Sequence, residues 1–331
     1  MVAFKMPITI RDIAKEAGVS ATSVSFFLNG KTEHFSKETR SKIEEVIRKN
    51  DFTPSYQAKA IKSGKTFLIG VVISDITQSF WMDIISGIEE IIEANQYHML
   101  LVVLHGDLKR EKKVLEFLNR KGVDGFIYAP ITDNDGNFNL CSLQELAKRK
   151  PLVCITANAD GVSSVYNNDS AGGEQVAEYF MHKGHKKVAY IGQLKPFVRG
   201  AIFINHFKKY GINVEHFNKV DDFMHMINNY TAVFCFCDSI AIELCDKARR
   251  HGLTIPDDLS VIGYDNMDFI QYLCPKITTV DQHKKEIGVK AAKILMNMLE
   301  SKCSLPINLP LNPKLIERES VKSLTRRSDA K

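Results

Sequence analysis

The chain has 331 residues, of which 44% are hydrophobic and 25% are charged, with a formal net charge of +5. This length predicts two or three domains, and the composition is typical of a globular protein in water. The sequence has no apolar run near the roughly 20 residues of a membrane span, and its N-terminus has no long apolar core of a signal peptide, so we expect no membrane partner. The seven scattered cysteines are an odd number without a CxxC pair, which predicts a cytoplasmic location and argues against a disulfide framework.

Residues 9–29 have the pattern of two short helices joined by a tight turn. Thr9 and Asp12 have the spacing of a capping box, and an apolar face at helical spacing follows them. Gly18 suits the turn, and Ser20 caps the second helix. This arrangement predicts a helix-turn-helix, whose second helix enters the DNA major groove.

The second helix has two distinct predicted faces. The buried face consists of Val24, Phe27 and Leu28. The exposed face consists of Ala21, Thr22, Ser25, Phe26 and Asn29. Most paired amphipathic helices bind no DNA, but small hydroxyls, an amide and a bare aromatic ring suit base edges and thymine methyls better than water. A rotated helix, with Phe26 in the core, is the alternative.

The net charge of the chain lies entirely in its N-terminal part. Residues 1–65 contain 12 Lys and Arg against 7 Asp and Glu, whereas residues 66–331 contain 32 of each kind. Phosphate contacts require positive charge at the helix-turn-helix, so the distribution supports DNA binding independently.

A third helix, capped by Ser36 and ended by Pro54, completes a predicted all-α bundle over residues 1–54. Residues 55–65 form a linker too short for a stable isolated helix. Two interpretations remain open for this linker: a flexible tether, or a hinge that becomes helical only when it packs against a partner or DNA.

Strands alternate with helices from residue 66 onward. The predicted strands are residues 67–73, 97–104, 124–130 and 152–157 in a first unit and residues 187–192, 232–238 and 259–266 in a second. Alternation of this kind predicts parallel sheets covered by helices. Two successive units predict an α/β core of two lobes, with a cleft between the carboxyl ends of their strands.

The sequence contains no motif for nucleotide binding, phosphoryl transfer or hydrolysis, so we expect no cofactor and no enzymatic activity. Cys235, Cys237 and Cys245 lack the usual spacing of metal ligands. The first two lie in a buried-strand pattern in which Cys acts as a small hydrophobe, so we expect no metal site.

Several segments together resemble the LacI/GalR family of transcriptional regulators over nearly the whole chain. They are TIRDIAKEAGVSATSVSFFLNG, NDFTPSYQAKAIKSGKT, LIGVVISDI, KGVDGFIY, HKGHKKVAYIG, LTIPDDLSVIGYDN, ITTVDQ and LIERESV. The resemblance implies an N-terminal all-α helix-turn-helix bundle, a hinge, and a two-lobed periplasmic-binding-protein-like core over residues 66–321. It further implies a homodimer that binds operator DNA and a small effector, often a carbohydrate, between the lobes.

The resemblance also implies the residues of two sites. The DNA-binding set is Thr9, Ser20, Ala21, Thr22, Ser25, Phe26, Asn29, Tyr56, Ala58 and Ile61, with Ile61 as an apolar wedge in the minor groove. The effector-binding set is Asp75, Phe80, Trp81, Asp169, Arg199, Asp238 and Asp265. A strand-end Asp often caps the next helix instead, and this alternative applies to each acid of the set.

The chain departs from the family pattern in four places. Phe26 stands where relatives usually have Arg, and Cys237 stands where Asn normally precedes Asp238. The region between Arg199 and Asp238 resembles a shortened form, as if a strand and part of a helix were missing from the second lobe. Residues 322–331 are expected to form a basic tail outside the core.

The sequence therefore favours a transcriptional repressor controlled by a sugar or sugar derivative. A solute-binding protein without a transcriptional role is the first alternative, and an α/β enzyme is the second. The basic N-terminal bundle argues against the first, and the lack of a catalytic motif argues against the second.

Overall fold

The computed structural model describes residues 8–28, 30–52, 64–76, 79–133, 137–195, 197–300 and 305–325. The chain divides into two compact units, Met1–Phe67 and Leu68–Lys331. Within the described ranges, every helix is too short or too polar to cross a membrane.

The first unit contains three helices. They are α1 (Ile10–Ala17), α2 (Ala21–Leu28) and α3 (Lys37–Lys49). Thr9 and Asp12 form the expected capping box, because the side chain of each accepts a hydrogen bond from the backbone N–H of the other. Gly18 ends α1 with a φ of 67°, a left-handed conformation that suits glycine.

The core of the first unit is centred on Ile13, Ala14 and Val24. Ala21 and Leu28 pack against this centre from α2, because they lie on the same helix face as Val24 at positions i−3 and i+4. Phe27, predicted in the buried face with Val24 and Leu28, is half-buried, as Leu28 is. Ala21, predicted to be exposed, is half-buried instead.

The first lobe of the second unit is a parallel sheet with helices. Its elements in chain order are β1 (Leu68–Ile73), α4 (Ser79–Ala94), β2 (His98–Val103), α5 (Leu108–Arg120), β3 (Gly125–Tyr128), α6 (Leu140–Ala147), β4 (Leu152–Ile155) and β5 (Ser163–Asn167). The central strands are apolar and buried along nearly their whole length, as expected for a parallel sheet covered on both faces.

The second lobe repeats the alternation. Its elements are α7 (Asp169–His182), β6 (Val188–Ile191), α8 (Arg199–Lys209), β7 (Val214–Phe217), α9 (Val220–Met224), β8 (Ala232–Cys235), α10 (Asp238–Arg250) and β9 (Ser260–Ile262). These strands form a parallel sheet in the order β7-β6-β8-β9.

The end of the chain returns to the first lobe and then leaves it again. The elements are β10 (Thr279–Asp281), α11 (Lys284–Glu300), β11 (Asn308–Leu311) and β12 (Lys314–Ile316). The strand β11 joins the first sheet, whose order is β11-β5-β4-β3-β1-β2, and β10 pairs with β12 in an antiparallel ribbon. The chain therefore passes between the lobes near residues 168, 282 and 312, so the lobes are joined by several short segments.

The predicted loss of a strand from the second lobe is wrong. The segment Val214–Phe217 forms the edge strand β7, and the short helix α9 follows it before β8. The segment VEHF carries two polar residues among four, because an edge strand has one neighbour and is partly exposed. That pattern does not match the buried strands around it.

The predicted tail also begins too early. The N–H of Lys322 donates to Ser260 Oγ at 3.1 Å, and the N–H of Leu324 donates to the carbonyl of Lys183 at 2.7 Å. The carbonyl of Lys322 accepts from Nε2 of the buried His185 at 3.0 Å. Residues 322–324 therefore belong to the second lobe.

We expect the close crossing of α4 and α11 to be sensitive to a single methyl group. A Cβ at Gly288 would stand 2.1 Å from the carbonyl oxygen of Ile84, and a Cβ at Gly87 would stand 2.3 Å from that of Lys285. Overpacking of this kind costs about 1–3 kcal/mol, so Gly288→Ala should lower the urea midpoint of unfolding. The exposed Ser86→Ala on α4 is the matched control, and equal midpoints for both variants would contradict the expected clash.

Candidate functional site

The guanidinium of Arg199 lies buried in the second lobe, where the β6–α8 loop enters α8. Its Nε lies 3.4 Å from Asp169 Oδ2, and its Nη1 lies 3.8 Å from Asp265 Oδ1. The Nη1 group also donates to the carbonyl of Phe236 at 3.3 Å. Asp169 begins α7 and Asp265 follows β9, so separate elements converge on one buried cation.

Three aromatic rings surround this cation. The guanidinium carbon of Arg199 lies 4.0 Å from the ring centroid of Tyr264, 4.6 Å from that of Phe236 and 5.1 Å from that of Phe197. All three distances lie within the roughly 6 Å over which cation–π attraction acts. Gly172 on α7 leaves room for Tyr264, because a Cβ there would stand 2.1 Å from the tyrosine oxygen.

Burial and the ion pairs act in opposite directions on the pKa values of this cluster. Burial raises the pKa of Asp265 to about 6, although the Arg199 guanidinium lowers it. Burial alone lowers the pKa of Arg199, but the nearby groups, Asp169 first, outweigh burial and raise it. Two carboxyl groups from separate elements therefore share one buried guanidinium.

A relay of amides holds Asp265 from its other side. Gln282 Nε2 donates to Asp265 Oδ1, and Gln282 Oε1 accepts from Asn167 Nδ2 at 2.7 Å. Gln282 follows β10 and Asn167 ends β5, so the relay reaches from the second lobe to the first. Asp265 has a φ of 108°, which non-glycine residues rarely adopt. The relay helps to keep the carboxylate in this strained position.

Asp238, expected among the effector ligands, lies in a different environment. It is fully buried at the start of α10, where its Oδ1 accepts from the Thr279 hydroxyl at 2.6 Å and its Oδ2 accepts from the N–H of Met267 at 2.8 Å. Burial, together with the neighbouring Asp265, raises the pKa of Asp238 to about 7. Both carboxylate oxygens are engaged within the lobe, so Asp238 supports the segment after β9 and is not in the ligand set that we propose.

The second unit also has an open cleft of about 480 Å³, and none of its lining residues belongs to the Arg199 cluster. Residues of both lobes line the cleft: Thr132 and Asp133 from the first lobe, and Gln193, Leu194, Lys195, His216 and Asn218 from the second. Tyr190 connects the cleft to the cluster, because its hydroxyl donates to the carbonyl of Gln193 and its ring stacks on His216 with centroids 5.8 Å apart. Gly200, next to Arg199, allows the close approach of Tyr190. The cleft volume of about 480 Å³ falls within the range of small-molecule sites.

The remaining three effector candidates belong to the first lobe. Asp75 follows β1, and Phe80 and Trp81 lie in the first turn of α4. The rings of Phe80 and Trp81 meet edge to face, with centroids 5.2 Å apart. Trp81 is only 7% exposed, whereas Phe80 is half-buried, so Phe80 presents more ring surface to a ligand. The structure thus brings Asp169, Arg199 and Asp265 together and keeps the two first-lobe rings as a separate pair.

Sequence reasoning missed five members of the cluster: Asn167, Phe197, Phe236, Tyr264 and Gln282. Tyr264 directly precedes Asp265, and Gln282 ends the segment ITTVDQ, so both lie in segments that carry the family resemblance. Their position in these segments could have identified both residues from the sequence. The roles of Asn167 and Phe236 depend on contacts across the fold, which residue spacing does not reveal.

The helix-turn-helix of the first unit presents part of its predicted DNA-binding set at the surface. Thr22 is exposed, Phe26 is 41% exposed, and Ser25 is half-buried on α2. The alternative in which Phe26 enters the core is therefore wrong. The aromatic ring stands on the outer face of the second helix, where base edges are read.

Two other members of the set hold the ends of helices. Ser20 Oγ accepts from the N–H of Ser23 at 3.0 Å, and Thr9 Oγ1 donates to Asp12 Oδ2 at 2.6 Å. Both hydroxyls lie at helix starts, where backbone N–H groups favour phosphate. The predicted contacts of Asn29, Tyr56, Ala58 and Ile61, and the hinge over residues 55–65, lie outside the described residues.

Models of known families match nearly the whole chain. Residues 9–55 match the model of bacterial regulatory proteins of the lacI family. Residues 66–195 match periplasmic binding proteins and the sugar-binding domain of the LacI family, and residues 177–321 match a periplasmic-binding-protein-like domain.

Similar proteins and structures agree with these matches. The chain is 31% identical to the transcriptional repressor PurR of Yersinia enterocolitica, over 95% of this chain and 96% of the relative. It is 30% identical to the ribose operon repressor of Haemophilus influenzae, over 96% and 99%. The lac repressor dimer bound to operator and the anti-inducer ONPF superposes with a TM-score of 0.83 at 21% identity, over 96% of this chain and 99% of that chain, and shows the fold. A LacI-family regulator from Enterococcus faecalis with bound ribose superposes with a TM-score of 0.68 at 26% identity, over 78% and 100%.

The first unit contains a helix-turn-helix, and the second is a two-lobed core with a cleft and a buried polar cluster. Together with the family matches, these features define a DNA-binding transcriptional regulator controlled by a small molecule. The chain belongs to the LacI family of bacterial regulatory proteins.

We expect the ring of Tyr264 to be required for the orientation of Arg199. Tyr264→Leu removes the face on which the guanidinium lies and should weaken effector binding about tenfold or more, given the ~2 kcal/mol of a desolvated cation–π contact. Tyr264→Phe keeps the ring and should bind nearly as the parent does. Calorimetric titration with an effector checks this, and equal affinities of the Leu and Phe variants would contradict the stacking role.

We expect Phe26 to contact a base pair in the major groove. Phe26→Arg should shift base preference at one position per half-site towards guanine, with a discrimination of about 1–3 kcal/mol, because arginine donates to guanine and phenylalanine packs only against a thymine methyl. Selection of preferred sites from random DNA measures this change. Circular dichroism should show the fold retained, and an unchanged preference in a folded variant would exclude the contact.

Proposed function

We propose that this protein is a dimeric repressor whose effector is a neutral sugar, held by Arg199, Asp169 and Asp265 and covered by aromatic rings. The observation that carries the proposal is the buried guanidinium between two carboxylates, which Tyr190 connects to an open cleft. Carboxylates accept from sugar hydroxyls, and a guanidinium donates to them. The ring faces of Phe197 and Phe236 complete a surface suited to the apolar face of a pyranose or furanose.

The charge of the cluster supports a neutral sugar over a sugar phosphate. A phosphate placed against the carboxyl groups of Asp169 and Asp265 meets repulsion as well as loss of its hydration. A pentose also agrees with the names of two similar proteins, a ribose operon repressor and a regulator with bound ribose. Ribose is therefore the first probe.

The DNA-binding part of the proposal depends on symmetry. One helix-turn-helix per chain reads one half-site, so a pseudo-palindromic operator requires two chains related by a two-fold axis. The dimeric lac repressor on its operator supports this arrangement. A cytoplasmic location is part of the proposal, because the protein acts on DNA. Repression, rather than enzymatic turnover, agrees with the repressors named above as relatives.

The test is calorimetric titration of the full chain with ribose between pH 5 and pH 8. A hydroxyl donates to the ionised form of Asp265, whose pKa in the unliganded protein is about 6. Ribose affinity should therefore be constant above pH 7 and fall below pH 6, by up to about tenfold per unit. Asp265→Asn should bind weakly with a flatter profile, whereas the exposed Asp268→Asn should behave like the parent.

Ribose 5-phosphate, hexoses and nucleosides form the comparison panel. Tighter binding of the phosphate than of ribose would contradict the charge argument. A gel shift with operator DNA from beside the gene completes the test, because a repressor's DNA affinity must change when its effector binds. Sugar binding without any DNA binding would favour the solute-binding alternative.

A further inference from the structure

The Nζ group of Lys284 joins the two lobes next to the effector cluster. Its side chain is 6% exposed, and its Nζ lies 2.8 Å from Asp83 Oδ2 on α4, in the first lobe. The same Nζ donates to the carbonyl of Asn266 at 3.3 Å, in the segment after β9 that carries Asp265. A single ammonium therefore connects the two lobes.

The location of Lys284 is unfavourable for a lysine unless its partners offset the cost. It is the first residue of α11, where the helix macrodipole disfavours a cation, and it is almost fully buried. The next residue provides a contrast. Lys285 pairs with Glu90 at 2.8 Å between the same two helices, but both side chains are more than half exposed, and such pairs contribute little.

The segment that Lys284 contacts is strained and held at several points. Asp265 and Asn266 have φ values of 108° and 49°, so two consecutive non-glycine residues lie in the left-handed region. Arg318 Nη2 donates to Asn266 Oδ1 at 2.7 Å, and the N–H of Asn266 donates to Thr279 Oγ1 at 3.3 Å. The position of the Asp265 carboxylate therefore depends on contacts made by its neighbour.

The other end of the connection is rigid. Gly87 on α4 and Gly288 on α11 let the two helix backbones meet so closely that a Cβ at either position would overlap a carbonyl oxygen. A displacement at the start of α11 is therefore transmitted to α4 as a unit. The helix α4 also carries Phe80 and Trp81, one turn before Asp83.

We propose that Lys284 is the positioning residue through which a ligand on Asp265 acts on the first lobe, by its shared contact with Asn266 and Asp83. The assignment rests on the proposed function of the cluster. An effector that draws the Asp265 carboxylate towards its hydroxyls shifts the adjoining carbonyl of Asn266. The ammonium of Lys284 and the paired helices α4 and α11 then move with that carbonyl.

The first experiment needs no effector. Hydrogen exchange of the full chain is compared among the parent, Lys284→Met, Asp83→Asn and the control Lys285→Met. Amides of residues 263–268 and 79–94 should exchange about tenfold faster in the first two variants and at the parent rate in the control. Asp83→Asn keeps the ammonium, so it decides the outcome if Lys284→Met does not fold. Unchanged exchange in both regions would overturn the proposal.

The second experiment measures the ratio of operator dissociation constants with and without saturating ribose. Allosteric coupling commonly changes such a dissociation constant by about 5–150-fold. In Lys284→Met the ratio should fall towards one. The ribose affinity should stay within a few-fold of that of the parent. Lys285→Met should keep the parental ratio. Faster exchange with an unchanged ratio would give Lys284 a structural role only and overturn the proposal. If ribose does not bind the parent, the proposed sugar is wrong, and the same ratio is measured with the member of the comparison panel (ribose 5-phosphate, a hexose or a nucleoside) that binds.

Discussion

The polar interior of the second lobe depends on the buried guanidinium of Arg199. Removal of this cation would leave Asp169 and Asp265 close together with no opposite charge between them. Loss of one partner from a buried ion pair costs about 3–5 kcal/mol, mostly because the remaining charge stays desolvated. The aromatic rings around Arg199 replace some of the hydration that it loses, and they leave its orientation little freedom.

Glycines give the cluster its shape. Gly172 leaves space for the Tyr264 hydroxyl, and Gly173 lets α7 approach the backbone carbonyl of Arg199, where a Cβ would be 2.3 Å away. Gly200 and Gly263 allow similarly close approaches by Tyr190 and Asp238. Each of these positions has no Cβ, so polar groups from different elements reach one another without separating the helices from the sheet.

The two lobes are connected by side-chain contacts as well as by the chain itself. The amide relay from Asp265 through Gln282 to Asn167 and the ammonium of Lys284 both cross from one lobe to the other. These contacts are short and partly buried, so they have few alternative geometries. The segment that carries Asp265 is therefore connected to the first lobe by two separate sets of contacts.

The sequence by itself determined the helix-turn-helix, its caps and the alternating α/β core, because capping, helical spacing and buried strand patterns are local and repeat within a few residues. The same local rules missed the edge strand β7, whose two polar residues break the apolar pattern, and placed on the exposed face Ala21, which packs against the core of the first unit. Tertiary structure alone decided that Asp169, Arg199 and Asp265 form one cluster. It also decided that both carboxylate oxygens of Asp238 accept hydrogen bonds, from Thr279 and Met267, and that Lys284 lies between the lobes. Those outcomes depend on contacts between residues up to about two hundred positions apart, as between Asp83 and Lys284. Such contacts are created by the three passages of the chain between the lobes, which residue spacing along the chain does not encode.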